Sequence, residues 1–274
     1  MVAKTALVTG GTGFIGHHLA NTLHNKGYKV SVVDNCRNYY KSLNPDIDLE
    51  LIDINNYCNK RGYDYVYHLA GINDSAFCDV FDGLAVDYNI TATHRMLEQH
   101  PGSRFILASC HSAAELRDVY GITKRAAEHL VNLHRNSVSI RFPYVFGEEQ
   151  GDMAQVVPAY CYAIKKNKKI IIQSDQSAGC DYLYVLDLVE ELISIGESRI
   201  KGQTETGYNT PITCIDMYRT IASIAKKKEN FRLGEGKRRL VKPVLVKHKI
   251  EEPKYGFMEG LRRTVRWYLE EESF

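Results

Sequence analysis

The chain has 274 residues, 44% of them hydrophobic and 25% charged, with a formal net charge of +2. These proportions describe a globular protein. So small a net charge gives no field to draw nucleic acid or an anionic membrane surface. No apolar run reaches the roughly 18 residues that span a bilayer.

Seven cysteines stand at 36, 58, 78, 110, 161, 180 and 214, with no Cys-x-x-Cys pair. The odd count and the spacing speak against a disulfide framework and against a metal site. A reducing, cytoplasmic compartment is the expectation. One early lysine precedes the first strand, in place of a basic region and a long apolar segment, so no signal peptide is expected.

Ala6-Leu7-Val8 reads as a buried strand. Thr9-Gly10-Gly11-Thr12-Gly13-Phe14-Ile15-Gly16 follows, and Phe14, Ile15, His18, Leu19, Thr22 and Leu23 then repeat at helical spacing. Strand, glycine-rich turn and helix together make a helix N-terminus into an anion site. In such a turn Gly10 allows the tight bend, Gly13 the approach of a pyrophosphate, and Gly16 close helix packing. Lys29-Val30-Ser31-Val32-Val33 is a second strand ending on Asp34, about twenty residues on, where an acid takes the ribose hydroxyls of NAD.

Strands are expected at 49–52, 65–70, 105–108 and 138–141, and helices at 87–99 and 119–135. This alternation implies a parallel sheet covered by helices on both faces. Beyond Phe146 the pattern loosens, with helices at 156–168, 187–195, 214–227 and 258–271 and strands at 169–173 and 182–185. The last of these strands and helix 187–195 are expected to return to the first unit. Lys226-Lys227-Lys228 ends a helix, and Lys237-Arg238-Arg239 lies in a loop as a candidate phosphate contact.

Tyr120-Gly121-Ile122-Thr123-Lys124 opens a helix. Residues four apart share a helix face, so Tyr120 and Lys124 can point into one cavity. A free tyrosine titrates near pH 10. A neighbouring ammonium and an oxidised nicotinamide favour the phenolate, which gives a general base.

The glycine spacing resembles the short-chain dehydrogenase/reductase superfamily, and Thr9 to Gly16 resembles its extended, sugar-nucleotide epimerase/dehydratase branch. That resemblance implies an α/β fold: a Rossmann doubly wound parallel sheet with a smaller, contracted C-terminal substrate domain. The NAD-binding domain would comprise 1–146 with 181–200, and the nucleotide-sugar domain 147–180 with 201–274. NAD would be held by Gly10, Gly13, Phe14, Ile15, Gly16, Asp34, Asn35, Asp53, Ile54, Leu69, Ala70, Gly71, Asn89, Tyr120 and Lys124. Asp34-Asn35 resembles the NAD-using sugar 4-epimerases, since an acid there repels a 2′-phosphate.

The family carries a serine or threonine at the end of the fifth strand. Here Cys110 stands on that position, Ser109 just before it and Ser112 close by, and all three stay candidates to hold the reacting hydroxyl. The Asp-Glu pair of the dehydratases is replaced by His111 and Ser112. Tyr144 resembles a substrate-contacting position, and Cys180 replaces the family's diphosphate-binding arginine. The implied activity is C4 epimerisation of a nucleotide diphosphate sugar through a transient 4-keto sugar, with Tyr120 as base. A sugar-nucleotide reductase or dehydrogenase and a non-catalytic NAD sensor are the alternatives. A homodimer through helices 87–99 and 119–135 is expected, with no metal.

Overall fold

A computed structural model describes residues 2–37, 43–59, 61–172, 179–234 and 249–271. It divides into two compact units, Met1–Phe142 with Val189–Thr206, and Pro143–Leu188 with Gly207–Phe274.

The strands in chain order are β1 (Thr5–Thr9), β2 (Lys29–Asp34), β3 (Asp48–Leu51), β4 (Tyr65–His68), β5 (Arg104–Cys110) and β6 (Ser137–Phe142). They continue as β7 (Tyr144–Phe146), β8 (Ile170–Ile172), β9 (Tyr182–Tyr184), β10 (Gly202–Glu205) and β11 (Phe231–Leu233). The helices are α1 (Phe14–Asn25), α2 (Ser75–Val80), α3 (Asp82–Val86), α4 (Ala92–Gln99) and α5 (Ser112–Glu115). After them come α6 (Val119–Asn132), α7 (Val156–Lys165), α8 (Val185–Glu197), α9 (Cys214–Ile224) and α10 (Gly256–Glu270).

The first unit holds a seven-stranded sheet in the order β10-β6-β5-β4-β1-β2-β3. Every neighbouring pair in it is parallel. The order reverses at β1, the arrangement of a doubly wound Rossmann sheet, whose ligands sit beyond the carboxyl ends of the strands. Register sets those ends side by side, with Thr9 opposite both Val33 and His68. Continuous apolar runs such as Ala6-Leu7-Val8 suit strands buried on both faces. Part of the core lies where Leu7, Val66, Phe105 and Leu107 of the sheet meet Met96 and Leu97 of α4 and Ala127 and Val131 of α6.

The expected single helix at 87–99 is more elaborate. α2 and α3 precede it, and residues Asp87–Thr91 form a π turn that runs into α4. The weak periodicity of Ser75–Val86 conceals α2 and α3 from sequence reading.

In the second unit β7 pairs with β9 and β8 with β11, both parallel. α10 packs on α7, α9 and β9. Asp187 fixes the start of α10 by accepting from the Tyr255 and Gly256 amides at 3.0 and 2.8 Å, and it also takes the Tyr208 hydroxyl. Tyr182–Tyr184 does not return to the large sheet as expected. Its edge is taken by Tyr144–Phe146, and the first unit resumes only at Val189. Residues 143–146 and 181–188 thus belong to the second unit, and 201–206 to the first.

Candidate functional site

The glycine loop closes tightly on itself. The Gly10 amide donates to the Val33 carbonyl at 2.9 Å, and the Gly13 amide donates to the Gly10 carbonyl at 3.1 Å. Gly10 has φ +69°, and a Cβ there would meet the Ala70 nitrogen at 2.8 Å. A Cβ at Gly16 would sit 2.0 Å from the Gly10 carbonyl oxygen. Only glycine fits either place.

α1 begins after Gly13 with no side chain capping its first amides. Those amides and the helix dipole favour an anion. Gly13, Phe14 and Ile15 are partly exposed there. Asp34 closes the loop's far side, accepting from the Thr12 amide at 3.0 Å and the Cys36 amide at 2.8 Å. Each carboxylate oxygen keeps acceptor capacity for a ribose hydroxyl. The Thr12 hydroxyl is buried in this loop and has no hydrogen-bond partner among the described residues. Uncapped amides, a cradle that a Cβ would fill and an orphaned hydroxyl fit a dinucleotide.

Further along the same sheet edge, Asp53 accepts from Tyr88 at 2.7 Å, the Asn55 amide at 2.9 Å and Asn35 at 3.1 Å. Burial works to raise its carboxyl, but these bonds and Arg37 outweigh it and hold the group below the usual range. Ile54 instead lies in the hydrophobic core. Leu69 and Ala70 are partly exposed and Gly71 exposed, just past β4.

α6 carries the chemical residues. Asp118 caps it, accepting from the Gly121 amide at 2.7 Å, and Asp79 takes the Val119 amide at 3.0 Å. Tyr120, in the first turn, lies beside the Cys110 thiol at the end of β5. Burial and that thiol hold the phenol well above the ordinary tyrosine range. In the protein alone, therefore, the phenol is protonated. Tyr120 and Cys110 are partly exposed. Lys124 is buried, and burial pulls its ammonium below the ordinary lysine range while Cys110 and Glu128 act to support it.

Strand alternation separates the two candidates at the end of β5. Cys110 meets Tyr120, whereas the buried Ser109 hydroxyl donates to Glu128 at 2.6 Å. Glu128 also grips Arg141 through two bonds of 2.7 and 2.6 Å, and Glu205 lies 3.4 Å from the same guanidinium. Ser109 therefore belongs to a buried ion-pair cluster and not to the Tyr120 cavity. Ser112 starts α5 and is partly exposed. Glu128 was absent from the sequence expectations, although Tyr120, Lys124 and Glu128 repeat at four-residue spacing on one helix face.

Asn89 sits buried in the π turn. Its side chain donates to Thr123 and to the Ile72 carbonyl, both at 3.0 Å, and accepts from the Ile72 amide at 2.9 Å. It thus supports α6 and the segment after β4 together.

In the second unit the exposed Tyr144 ring stacks on the buried Tyr182 ring at 5.6 Å and 29°. Cys180 forms an isolated antiparallel bridge with Ile212. Lys237, Arg238 and Arg239 lie outside the described residues. Among the described residues there is no group of side chains suited to a metal ion, and no helix is long and apolar enough to cross a membrane.

Comparison with known proteins places this geometry. The model of the NAD dependent epimerase/dehydratase family matches residues 6–209. A putative UDP-glucose 4-epimerase of Methanocaldococcus jannaschii is 25% identical over 308 aligned positions, covering 95% of this chain and 97% of that protein. A UDP-N-acetyl-alpha-D-glucosaminuronate decarboxylase of Bacillus cytotoxicus is 24% identical, covering 98% of this chain and 99% of its own. Among solved structures, a UDP-N-acetylglucosamine 4-epimerase from Methanobrevibacter ruminantium shares the fold with a TM-score of 0.88 at 22% identity, over 98% of this chain and 99% of that one. A UDP-glucose 4-epimerase of Thermus thermophilus, solved with NAD, shares it with a TM-score of 0.81 at 23% identity, over 96% and 98%. The chain belongs to the NAD dependent epimerase/dehydratase family, the extended short-chain dehydrogenase/reductases, and is an NAD-dependent enzyme of that type.

Proposed function

We propose that the protein epimerises a nucleotide diphosphate sugar at C4 through a transient 4-keto sugar. The observation that carries this reading is the meeting of Tyr120 and Cys110, with Lys124 one helical turn along, in the unit that holds the glycine loop. Gly10, Gly13, Phe14, Ile15 and Gly16 would cradle the dinucleotide's pyrophosphate. Asp34 and Asn35 would take its ribose, and Asp53 and Ile54 the surroundings of its adenine. Leu69, Ala70 and Gly71 would run beneath it, with Asn89, Tyr120 and Lys124 at its reactive end.

When bound, oxidised NAD supplies the hydride acceptor and a positive charge that acts with Lys124 to lower the phenol. Tyr120 takes the proton of the sugar hydroxyl and later returns it. Cys110 holds that hydroxyl in line, as a weaker partner than a serine. Elimination in the manner of a dehydratase is disfavoured, because His111 and Ser112 follow Cys110 where that reaction uses a carboxylate pair. Tyr144 and Ser112 are assigned to the substrate.

A panel of nucleotide sugars incubated with the protein and followed by NMR tests the reading. A C4 epimer forming with no net change at 340 nm is expected, whereas stoichiometric reduction would make it a reductase or dehydrogenase. A second reading, an NAD-binding protein without catalysis, draws on the thiol beside a protonated phenol and on Cys180 in place of arginine. NAD retained with no turnover of any sugar would favour it.

The protein is also assigned a homodimer built on α4 and α6. Ile122 and Leu133 on and just after α6 are exposed. A monomer in sedimentation would remove this assignment.

A further inference from the structure

A line of buried side chains crosses the first unit from the glycine loop to Tyr120, and the chemistry above does not use it. It starts at Thr9, the last residue of β1 before Gly10. The Ala70 amide donates to the Thr9 hydroxyl at 3.2 Å, which leaves the hydroxyl proton for His68 Nδ1, 2.8 Å away. On the ring's other side His68 Nε2 lies 3.1 Å from the Thr93 hydroxyl. Thr93 donates its own proton to the Asn89 carbonyl at 2.8 Å. A hydroxyl has one proton to give. Thr93 has spent it, so His68 donates at Nε2 and accepts at Nδ1, and a single neutral tautomer satisfies both contacts.

His68 is fully buried. Burial first, and the Lys124 ammonium second, push its imidazole down to about 3. It therefore serves as a fixed neutral bridge and not as a proton carrier at working pH.

The line continues beyond Thr93. Asn89 donates to the Thr123 hydroxyl at 3.0 Å, and Thr123 donates to the Tyr120 carbonyl at 2.9 Å. Asn89 occupies a π turn, a local widening of the helix that is frequent at functional sites. Relaxation of that turn to α geometry would rotate Asn89 away from Thr123. The Thr93 hydroxyl is tied to the turn's own carbonyl, and His68 fixes the direction of that hydroxyl.

We propose that His68 is a positioning residue for Tyr120: pinned between Thr9 and Thr93, it holds the π turn that carries Asn89, and through Asn89 and Thr123 the first turn of α6. It ties the end of β1, where the cofactor loop begins, to the helix that presents the phenol. The kinetic part of its test rests on the epimerase reading above, and the thiol part does not.

Thr93→Val removes one hydroxyl at nearly constant shape and breaks the line, and Thr93→Ser restores it. His68→Leu and His68→Gln form a second pair, the glutamine offering one acceptor and one donor. The first readout is the alkylation rate of Cys110 by iodoacetamide in the purified protein, followed peptide by peptide with exposed Cys58 as reference. Because Cys110 lies beside Tyr120, Thr93→Val raises its rate several-fold with Cys58 unchanged, and Thr93→Ser returns it to the wild-type rate. The second readout is kinetic: kcat falls by about 10- to 100-fold in Thr93→Val with KM unchanged, the signature of a misplaced reacting group. A folded Thr93→Val protein with wild-type Cys110 alkylation overturns the proposal, as does one with wild-type kcat. If the wild type turns over no sugar, the epimerase reading fails and the thiol readout still decides this one.

Discussion

The Tyr120 phenol lies beside the Cys110 thiol at the mouth of the parallel sheet, and the thiol acts with burial to raise it. Sulfur is a weak donor and a weak acceptor beside oxygen. Cys110→Ser gives both the phenol and the substrate hydroxyl a stronger partner, and kcat rises several-fold. Cys110→Ala removes the partner, and kcat falls by about 10-fold or more. Steady-state epimerisation kinetics measure both. A serine variant as slow as the alanine one would show that this side chain does not reach the reacting hydroxyl.

The phenol's ionisation sets the pH dependence. Its pKa lies above the ordinary tyrosine value because of burial and Cys110, so the base form is the minor one at neutral pH. Activity therefore climbs as pH rises and is lost as pH falls. In the proposed mechanism Lys124 stabilises the phenolate, so Lys124→Met is expected to move the rising limb of kcat/KM to higher pH by about one to three units. The pH–rate profiles of the two proteins check this. Superimposable limbs would mean that the ammonium does not act on the base.

Ser109 and Cys110 are neighbours in sequence with separate tasks. Ser109→Ala deletes one bond to the buried Glu128 carboxylate and costs about 1.5–3 kcal/mol of stability. It leaves kcat unchanged. Glu128→Ala costs more, about 3–5 kcal/mol, because the buried Arg141 loses its two short carboxylate bonds and is left with Glu205 at 3.4 Å. Urea unfolding paired with kinetics separates the two. A Ser109→Ala protein that is stable but inactive would move Ser109 into the cavity.

How far the sequence reached follows from how local each feature is. The path from β1 through the glycine turn to α1 is written in adjacent residues, and so is the alternation that yields the parallel sheet. Tyr120 and Lys124 are one helical turn apart and needed no tertiary knowledge. His68 was passed over because its partners lie 59 and 25 residues away. The π turn leaves no periodicity of its own. β7, β10 and β11 are three or four residues long, and β10 (Gly-Gln-Thr-Glu) and β11 (Phe-Arg-Leu) carry no apolar run to mark them. The pairing of Tyr182–Tyr184 with Tyr144–Phe146 depends on which edge is open, which only the folded chain decides. The raised phenol was illegible for a related reason: a motif names the neighbouring charge, while burial belongs to the whole unit.

His68 also makes the protein sensitive to acid. Its folded pKa of about 3 lies below the ordinary histidine value of 6.5, so the unfolded chain takes up a proton that the folded one refuses. The resulting stability is fully present above the unfolded value and is lost as pH falls toward the folded one. The slope is about 1.4 kcal/mol per pH unit, so about 2 kcal/mol disappears between pH 6.5 and 5. His100 is buried and shifted down by burial as well, and contributes in the same sense. Urea midpoints at the two pH values measure the loss, and His68→Gln removes most of His68's share. An equal pH dependence in the glutamine variant would contradict the assignment.

Arg104 stabilises the first unit without touching the site. It lies on β5, and its guanidinium donates to the Gly196 and Ile195 carbonyls at 3.2 and 3.3 Å and to the Ile200 carbonyl. These are the carbonyls at and just beyond the end of α8, where the helix has exhausted its own amides and where its dipole favours a cation. Arg104→Met keeps the apolar stem and removes every donor. It lowers stability by about 2–4 kcal/mol, because the Ile195 and Gly196 carbonyls lose a charged donor in a buried place. NAD affinity and KM are unchanged, since α8 ends far along the chain from the glycine loop and the phenol. Urea unfolding together with NAD titration checks both halves. An unmoved midpoint would show that water replaces the guanidinium at little cost, and a weakened NAD affinity would show that this cap reaches the cofactor loop.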